Sequence, residues 1–570
     1  MSDSLVYEKS EERNEEEKVP FLKKEMVFVD DQSQRNYSSS QATIETTTLS
    51  NNGRWCDYSQ GYISLPLVIT VAGLTNGTTD VDFTSAELKQ TDLLMCLKNS
   101  NINLIDSMVI DYGNNNVIQQ SSRINNYLNF KLHSEMSYDD ELLNGSTIGY
   151  SKDSTTSWQY HPTVSTSGTG ICNNMNTTTE SGSQEMRGYG NSGMRTRQDV
   201  FQKIEQSGVT DGKEFIYGSY DKLRASGMNY IDDTATCKSY YYDCIIRLKD
   251  LMFFDKMPLL KGANIRFTMT LNQTTFQVDK DAAGHLSFNP ATYIGGNTNP
   301  IMMSATHAII KAGTGATATD VTNTDFAFAG GSQTLPCNTN YTFTCSIGKN
   351  HFTNNGSAEH ERKNIRLYVP SYVMQPSYEL QYLTTQQKKI TYIDIVAFPK
   401  LNVDGQFNFL VTNGLARMKR LICVPCIAST ANGSTTHKFS PCISPFTTEP
   451  STCSPYLIQD FNIQLGGLNL YQNGRNYNYE TFLDEMNGKY GMESNMTTGM
   501  CSSRISLNDY NNNYGYLVAD LSRRAPEDDM VSISLQVSGK VTSLLPLDLF
   551  FYVEVEKTIV IDLKTGQMVS

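Results

Sequence analysis

The chain has 570 residues, of which 39% are hydrophobic and 18% charged, so it carries enough apolar material for two large domains. The formal net charge is −13, the sequence pI is about 5.1 and no long basic run occurs, which excludes tight binding to nucleic-acid phosphates. Tyr and Gly are abundant, with 32 and 39 residues against 2 Trp. Because Tyr and Thr favour strands and Gly, Asn and Ser favour turns, the composition indicates an all-β protein with long polar loops.

The start of the chain does not have the pattern of a signal peptide. Residues 1–36 are acidic and polar, with Glu11-Glu12 and Glu15-Glu16-Glu17, and contain no apolar core. No stretch of roughly 18 apolar residues occurs, so no transmembrane helix is expected. We therefore expect a protein that is not secreted, made in the cytosol or nucleus, whose twelve cysteines stay free thiols.

The first half of the chain is predicted to form one β-sandwich with a long insertion. Residues 1–55 are acidic and then polar, which predicts a flexible N-terminal arm. Thr84-Ser85-Ala86-Glu87 has the pattern of a capping box that opens a helix. The tract from about 150 to 200 is dominated by Ser, Thr, Gly and Asn and cannot supply a core, which predicts a surface excursion. Apolar residues alternate with polar ones in the remaining segments, which predicts strands at 62–71, 104–112, 124–132, 240–251 and 264–272.

The second half shows the same pattern after a Gly-rich and Thr-rich passage at 312–334. One short helix is predicted at about 479–486. Strands are predicted near 340–347, 365–369, 390–398, 406–412, 418–425, 461–470, 531–537 and 549–555. The predicted fold is therefore all-β: two tandem jelly-roll β-sandwiches with long loop insertions and a few short helices. The predicted division is a first jelly roll at 56–300 with an insertion at about 137–235, a second at 301–558, and a C-terminal tail at 559–570.

Several short motifs resemble metal-binding or catalytic sites but lack residues that those sites require. Cys423 and Cys426 with Cys442 and Cys453 could form a zinc site, yet zinc knuckles present two tight pairs, and on a strand Cys423 and Cys426 point to opposite faces. Buried thiols are the favoured interpretation.

Other partial motifs fail in similar ways. Ser346-x-x-Lys349 and Lys564-Thr565-Gly566 resemble β-lactamase motifs without the third one, and His360-Glu361 lacks the second histidine of a zinc protease. Asp279-Lys280-Asp281 starts like a calcium loop but has Pro290 where the bidentate Glu belongs. The sequence thus predicts no catalytic, cofactor-binding or metal-binding residue, although a glycosidase-like carboxylate pair formed only by the fold stays open.

An ordered series of segments resembles a known family. It begins with Ile246-Arg247-Leu248-Lys249-Asp250-Leu251-Met252-Phe253-Phe254-Asp255-Lys256-Met257-Pro258 and continues with Arg366-Leu367-Tyr368-Val369-Pro370-Ser371-Tyr372. It ends with Tyr514-Gly515-Tyr516-Leu517-Val518-Ala519-Asp520-Leu521-Ser522-Arg523 and the late Val537-Ser538-Gly539. These segments resemble double jelly-roll major capsid proteins of small eukaryotic DNA viruses, of the Polinton-like virus, virophage and adintovirus type, with adenovirus hexon more distant. The resemblance spans roughly residues 56–565.

The resemblance implies a structural protein and not an enzyme. In such capsids three copies form a pseudo-hexameric capsomer, and capsomers tile the icosahedral shell of a double-stranded DNA virus. The implied partners are other copies of the chain, neighbouring capsomers, and penton and minor or cement proteins, with a location in the virion and no sequence-specific nucleic-acid binding. An acidic chain fits, because a genome pumped in by a motor need not be neutralised by the shell.

Two alternatives remain open at this point. A carbohydrate-binding or carbohydrate-active tandem β-sandwich would need aromatic platforms, usually Trp, whereas the chain has 2 Trp. A minor virion protein such as a spike or penton would usually carry one jelly roll. Counting the sandwiches separates this last alternative from the major capsid protein.

Overall fold

A computed structural model gives the fold of the chain. The segments that the structure describes lie between Pro20 and Met568. No helix in these segments is long and apolar enough to cross a membrane. The residues described are 20–33, 37–75, 79–80, 95–113, 116–152, 159–160, 172–173, 197, 230–233, 237–280, 285–294, 300–303, 311–312, 319–320, 326–327, 340–348, 364–384, 386–428, 457–486, 505–512, 514–522, 529–543 and 546–568.

The strands up to residue 374 form the first module. They are β1 (Phe21–Asp30), β2 (Gln41–Glu45), β3 (Trp55–Cys56), β4 (Tyr62–Thr75), β5 (Thr79–Asp80), β6 (Met95–Leu97), β7 (Ile105–Tyr112), β8 (Asn116–Ser121), β9 (Gln159–Tyr160), β10 (Cys172–Asn173), β11 (Tyr230–Asp233), β12 (Cys237–Arg247), β13 (Leu260–Lys261), β14 (Ile265–Leu271), β15 (Thr274–Lys280), β16 (His285–Ile294), β17 (Ile301–Met303), β18 (Lys311–Ala312), β19 (Thr319–Asp320), β20 (Phe326–Ala327), β21 (Asn340–Ile347) and β22 (Arg366–Met374).

Two large sheets organise this module, and β4 is the central strand of the larger one. All of β12 pairs antiparallel along one edge of β4, while β22 and then β21 pair along its other edge. The second sheet has the order β2-β14-β7-β8. Its strand β14 buries every second residue, as expected where one face of a sheet covers a core.

The second module is built from two four-stranded antiparallel sheets. Their orders are β23-β30-β25-β28 and β24-β29-β26-β27. The strands are β23 (Gln387–Val403), β24 (Gln406–Leu415), β25 (Met418–Ile427), β26 (Ile458–Leu465), β27 (Leu468–Asn469), β28 (Leu517–Asp520), β29 (Ile533–Val541) and β30 (Leu547–Asp562).

Helices are few and short. The described α-helices are α1 (Thr47–Ser50), α2 (Ile124–Glu135), α3 (Tyr138–Ile148), α4 (Met252–Asp255), α5 (Pro376–Tyr382), α6 (Tyr479–Met486) and α7 (Leu507–Asn512). Helix α3 shows why such a segment is helical. The Ser137 hydroxyl accepts the Asp140 N–H, three acidic residues complement the dipole in the first turn, and Gly149 ends the helix at a φ of +61°.

The predicted strand at 124–132 is wrong, because α2 occupies this segment. Ile124, Leu128 and Leu132 are spaced by four residues and are all buried, which is the spacing of one face of a helix. The predicted short helix at 479–486 is confirmed by α6. The predicted helix opening at 84–87 lies outside the described residues.

The predicted boundary between the modules at 300/301 is also wrong. Strand β21 pairs with β4 in the register Phe343↔Val71, and β22 pairs with β4 in the register Leu367↔Ile63. Both strands therefore complete the first module, and the change of module falls after Met374. Pairing between segments so far apart leaves no local signal in the sequence.

The two chain ends also differ from expectation. Residues 20–33 and 37–55 belong to the predicted flexible arm, yet β1 lies here and pairs with β22 along nearly its whole length. The predicted tail from 559 onward begins within β30, which extends to Asp562. Residues 1–19, and most of the tract from 150 to 200, lie outside the described residues.

Strand β30 lies at the centre of the second module. Its first nine residues are all buried, so both faces of the strand are covered. Phe550 and Tyr552 face the first module, where the Tyr552 hydroxyl donates to the Arg123 carbonyl oxygen at 2.8 Å. By alternation Phe551 points the opposite way, towards the interior of the second module. Such a strand has a nearly continuous apolar sequence.

Replacing Phe551 by Ala tests the importance of this strand. The side chain is 0% exposed, and its loss should destabilise the fold by about 3–5 kcal/mol because it leaves a cavity. The thermal unfolding midpoint should fall clearly. Leu468→Ala is the control, because that side chain is 78% exposed and its removal should shift the midpoint little. Equal shifts in the two variants would contradict the assignment.

Candidate assembly interfaces

The two modules meet at a seam that contains a cluster of charged residues around the buried Glu554. Arg420 on β25 donates from Nε to Glu554 at 2.7 Å and from Nη2 to the other oxygen of that carboxylate at 2.9 Å. The same Nη2 also reaches Glu135, at the end of α2, at 3.3 Å. The Tyr127 hydroxyl, also on α2, donates to Glu554 at 2.8 Å. A bidentate pair with extra hydrogen bonds is the arrangement in which buried charges are tolerated.

Burial and neighbouring charges shift the pKa values of two residues in this cluster. Burial raises the pKa of the Tyr127 hydroxyl well above its ordinary value, and the charge of Glu554 acts in the same direction. For Arg420, burial alone would lower the pKa, but the two glutamates outweigh it and the pKa lies well above the usual value. The tyrosine therefore stays a neutral donor and the arginine stays a cation at any physiological pH.

Aromatic side chains fill the rest of the seam. Phe253 of the first module meets Tyr392 of the second edge to face at 5.0 Å, and Phe130 meets Tyr516 in the same way at 5.0 Å. The Tyr392 hydroxyl donates to a carbonyl oxygen of β8 at 2.8 Å, and the Tyr516 hydroxyl lies 2.8 Å from Nδ1 of His133. Each ring thus buries apolar area while its hydroxyl keeps a partner, as tyrosines at interfaces do.

The end of the chain folds back on the first module. The Lys261 N–H donates to the Leu563 carbonyl oxygen at 3.3 Å. Gly566 then adopts a φ of +63°, and a Cβ on it would lie 2.6 Å from the Cα of Ala263. Asp562 holds this turn, because its carboxylate accepts hydrogen bonds from the backbone N–H groups of Thr565 and Lys564, both at 2.9 Å. These hydrogen bonds, with that from Thr565 first, lower the pKa of the carboxyl group. We call residues 562–566 the C-terminal clasp.

Two surfaces of the described residues each expose several large apolar side chains. The first, called the edge surface, is the outer side of β1 with Leu22, Met26 and Phe28 exposed by 64%, 51% and 49%. The second is the outer side of α3. Tyr138 and Leu143 are 69% and 75% exposed there. Clusters of exposed apolar residues on a folded protein mark interaction surfaces.

The partial motifs of the sequence do not assemble into a site among the described residues. Cys423 and Cys426 are buried on β25, and the described His, Cys, Asp and Glu residues form no group that could hold a metal ion. Ser346 is buried in β21, and Lys564 to Gly566 form the clasp. Cys442, Cys453, Lys349 and His360 lie outside the described residues. Trp55 is only 2% exposed and offers no platform for a sugar.

Neither the seam, the clasp nor the edge surface was found from the sequence. Arg420, Glu135 and Glu554 are scattered along the chain, and only the fold brings them together. The one available signal was the apolar run around Phe551, which indicates a strand covered on both faces. That run does not indicate which part of the chain packs against the two faces of the strand.

Replacing Arg420 by Met tests the seam. Its side chain is 23% exposed and that of Glu554 is 3% exposed, so the variant leaves a buried carboxylate without its cation. The loss should cost about 3 kcal/mol or more. Arg366→Met is the matched control, since Arg366 and Asp30 form an exposed pair worth less than about 1 kcal/mol. Urea unfolding of both variants measures the difference, and similar midpoints would refute a structural role for the cluster.

Replacing Gly566 by Ala tests the clasp. The new Cβ would collide with the backbone of Ala263, so the C-terminal residues should detach and become sensitive to proteolysis. Gly405→Ala is the control, because Gly405 has a similar φ of +69° but open space around it. The control should cost only about 1–2 kcal/mol of backbone strain. Equal protease resistance of the C-terminus in the two variants would show that the clasp does not depend on this contact.

Comparisons with known proteins identify the fold. No protein-family model and no curated protein sequence matches the chain. Among solved structures, a chain of the Sputnik virophage matches with a TM-score of 0.50 and 9% identity, covering 96% of this chain and 88% of that one. The Faustovirus major capsid protein matches with a TM-score of 0.40 and 8% identity, covering 94% and 90%. A chain of the PBCV-1 virus capsid matches with a TM-score of 0.37 and 9% identity, covering 96% and 97%. The fold of this chain is an all-β double jelly roll, as the sequence predicted.

Proposed function

We propose that the chain is the major subunit of the icosahedral shell of a double-stranded DNA virus, and that three copies form each capsomer. The observation that carries the proposal is the double jelly roll, which extends over 96% of the chain in the match to the Sputnik virophage chain. Two sandwiches in one chain also favour a major capsid protein over a spike or penton with one jelly roll. Three such chains supply six jelly rolls and hence a near-hexagonal outline.

The seam supports this role physically. In a pseudo-hexamer the two modules of each chain must lie at one fixed angle to each other. Any variation in that angle would be repeated at every contact between chains in the shell. The bidentate Arg420–Glu554 pair is directional, and the aromatic packing around Tyr392 and Tyr516 is apolar. Together these contacts favour a single arrangement of the modules.

The surfaces support self-association as the activity. Obligate contacts within a trimer are large and apolar, whereas contacts between capsomers are smaller and more polar. The chain exposes separate apolar surfaces on β1 and α3, and a ring of three copies must use two different surfaces of each chain. In this proposal the protein resides in the virion, meets penton and cement proteins at the rims of capsomers, and needs no catalytic residue.

Light scattering of the recombinant full-length protein, combined with negative-stain images, tests the proposal. We expect a mass near three times the chain mass of 63.7 kDa and particles with hexagonal outlines. Dilution should not dissociate the trimer readily, because the contacts within it are extensive. A monomer at every concentration, without hexagonal particles, would refute the proposal and direct attention to glycan binding.

A further inference from the structure

Three lysines lie where the two modules and the C-terminal clasp meet. The Lys24 ammonium lies 5.4 Å from the centroid of the Tyr372 ring, and the Lys388 ammonium lies 4.4 Å from that of Tyr382. Lys564 is exposed on the clasp. We call these three lysines the basic patch. Lys24 is part of the first module, whereas the other two follow the linker helix α5, so the patch spans the junction between the modules.

A row of direct contacts connects the members of the basic patch. Tyr372 is the strand partner of Trp55, and the Trp55 ring meets the Tyr382 ring edge to face at 5.3 Å. The clasp joins this row, because the Leu563 N–H donates to the Gln386 carbonyl oxygen at 2.9 Å. The three lysines therefore belong to one continuous surface.

The positive charge of the basic patch is not neutralised by the described residues. Two of its ammonium groups lie against aromatic rings, which attract a cation without removing its charge. No carboxylate of the described segments forms an ion pair with any of the three lysines. The carboxylates in this region all accept hydrogen bonds from other groups, and they are those of Glu25, Asp57, Glu379 and Asp562. The patch is thus basic, although the whole chain has a net charge of −13.

Residues 1–19, which we call the acidic segment, join the described chain beside this patch. They include seven acidic and three basic residues, a net charge of −4. They lead into Pro20, whose carbonyl oxygen accepts the Gln375 N–H at 3.1 Å, just before the helix α5 that carries Tyr382. Residues 15–17 are all Glu and precede Pro20 by three to five residues, an extended reach of about 10–18 Å. A short tether of this kind keeps the local concentration near the millimolar range.

We propose that the acidic segment docks on the basic patch of its own chain, with its glutamates against Lys388 and Lys564. Docked there, it crosses the junction between the modules and connects the start of β1 to the second module. Each ion pair is exposed and weak, so the contact depends on several charges acting together and weakens as the salt concentration rises. The inference does not depend on the capsomer proposal, because both partners belong to one chain.

Carbodiimide cross-linking of the full-length protein tests the docking. The reagent joins a carboxylate to an ammonium group without a spacer, so it reports ion pairs in direct contact. Mass spectrometry of the monomer band from a denaturing gel should find residues 11–17 joined to Lys388 and Lys564. The yield should fall about fivefold at about 1 M salt, where the Debye length is about 3 Å. Cross-links to Lys24 do not count, because it lies close to the segment along the chain.

Lys389 is the matched control within reach of the acidic segment. It follows Lys388 on β23 but points to the opposite side of the strand, and it is the more exposed of the two. A segment that only moves about its attachment point would react with Lys389 at least as well as with Lys388. Equal yields at the two lysines, or yields that do not change with salt, would overturn the docking.

Binding to immobilised heparin, a polyanion, tests whether the acidic segment covers the patch. Changing the five glutamates of residues 11–17 to Gln should uncover it, so this variant should elute at higher salt than the unmodified protein. Adding Lys388→Gln and Lys564→Gln should then weaken heparin binding about tenfold. Lys389→Gln with Lys540→Gln removes the same charge away from the patch and should have a smaller effect. No gain in heparin binding from the five Gln substitutions, or equal effects of the two lysine pairs, would count against the inference.

The outcomes separate this inference from the proposed function. Cross-links to Lys388 and Lys564 in the monomer band support the docking whether the protein in solution is a trimer or a monomer. A trimer mass without these cross-links overturns the docking and leaves the capsomer proposal standing. The same cross-links found only in a band of twice the chain mass would place the segment on a second copy and overturn docking within one chain.

Discussion

The constraint on which the structure depends is the burial of β30 on both faces. A strand in a sandwich normally buries one face, yet the first nine residues of β30 are all inaccessible. One face is covered by the second module itself, and the other is covered by α2 and its neighbours in the first module. Neither module could expose this strand to water without a large loss of hydrophobic free energy. The two jelly rolls are therefore one folding unit in energetic terms.

Several other features follow from this constraint. Glu554 lies on the buried strand, so its charge needs a cation and donors, which Arg420 and Tyr127 provide. Isolated, such a carboxylate would cost several kcal/mol; paired and hydrogen-bonded, it fixes the direction in which α2 meets the sheet. The C-terminal clasp continues the same strand beyond the seam and attaches its end to the first module. The angle between the modules is thus set at several separate points.

What remains outside the core determines how the protein can associate. Among the described residues, β1 and α3 each expose several large apolar side chains close together, and other exposed apolar residues are spread over the rest of the surface. A subunit that repeats many times needs contacts that are strong within a capsomer and weaker between capsomers, so that assembly errors can be corrected. In the proposed function, a rigid pair of modules with separate apolar surfaces on β1 and α3 meets both requirements.

The sequence by itself determined the elements whose signal is local. Alternation of apolar and polar residues predicted β14 and the strand at 62–71, and a short amphipathic segment predicted α6. These predictions work because the spacing of apolar residues follows the face of the strand or helix that is buried. Together with the ordered resemblance, this fixed the double jelly roll. Only the tertiary structure decided that 124–132 is a helix, that β21 and β22 belong to the first module, and that β1 is an edge strand. These features depend on pairing between distant segments and on which segment packs against a given face of a strand or helix. Neither produces a pattern in the local sequence.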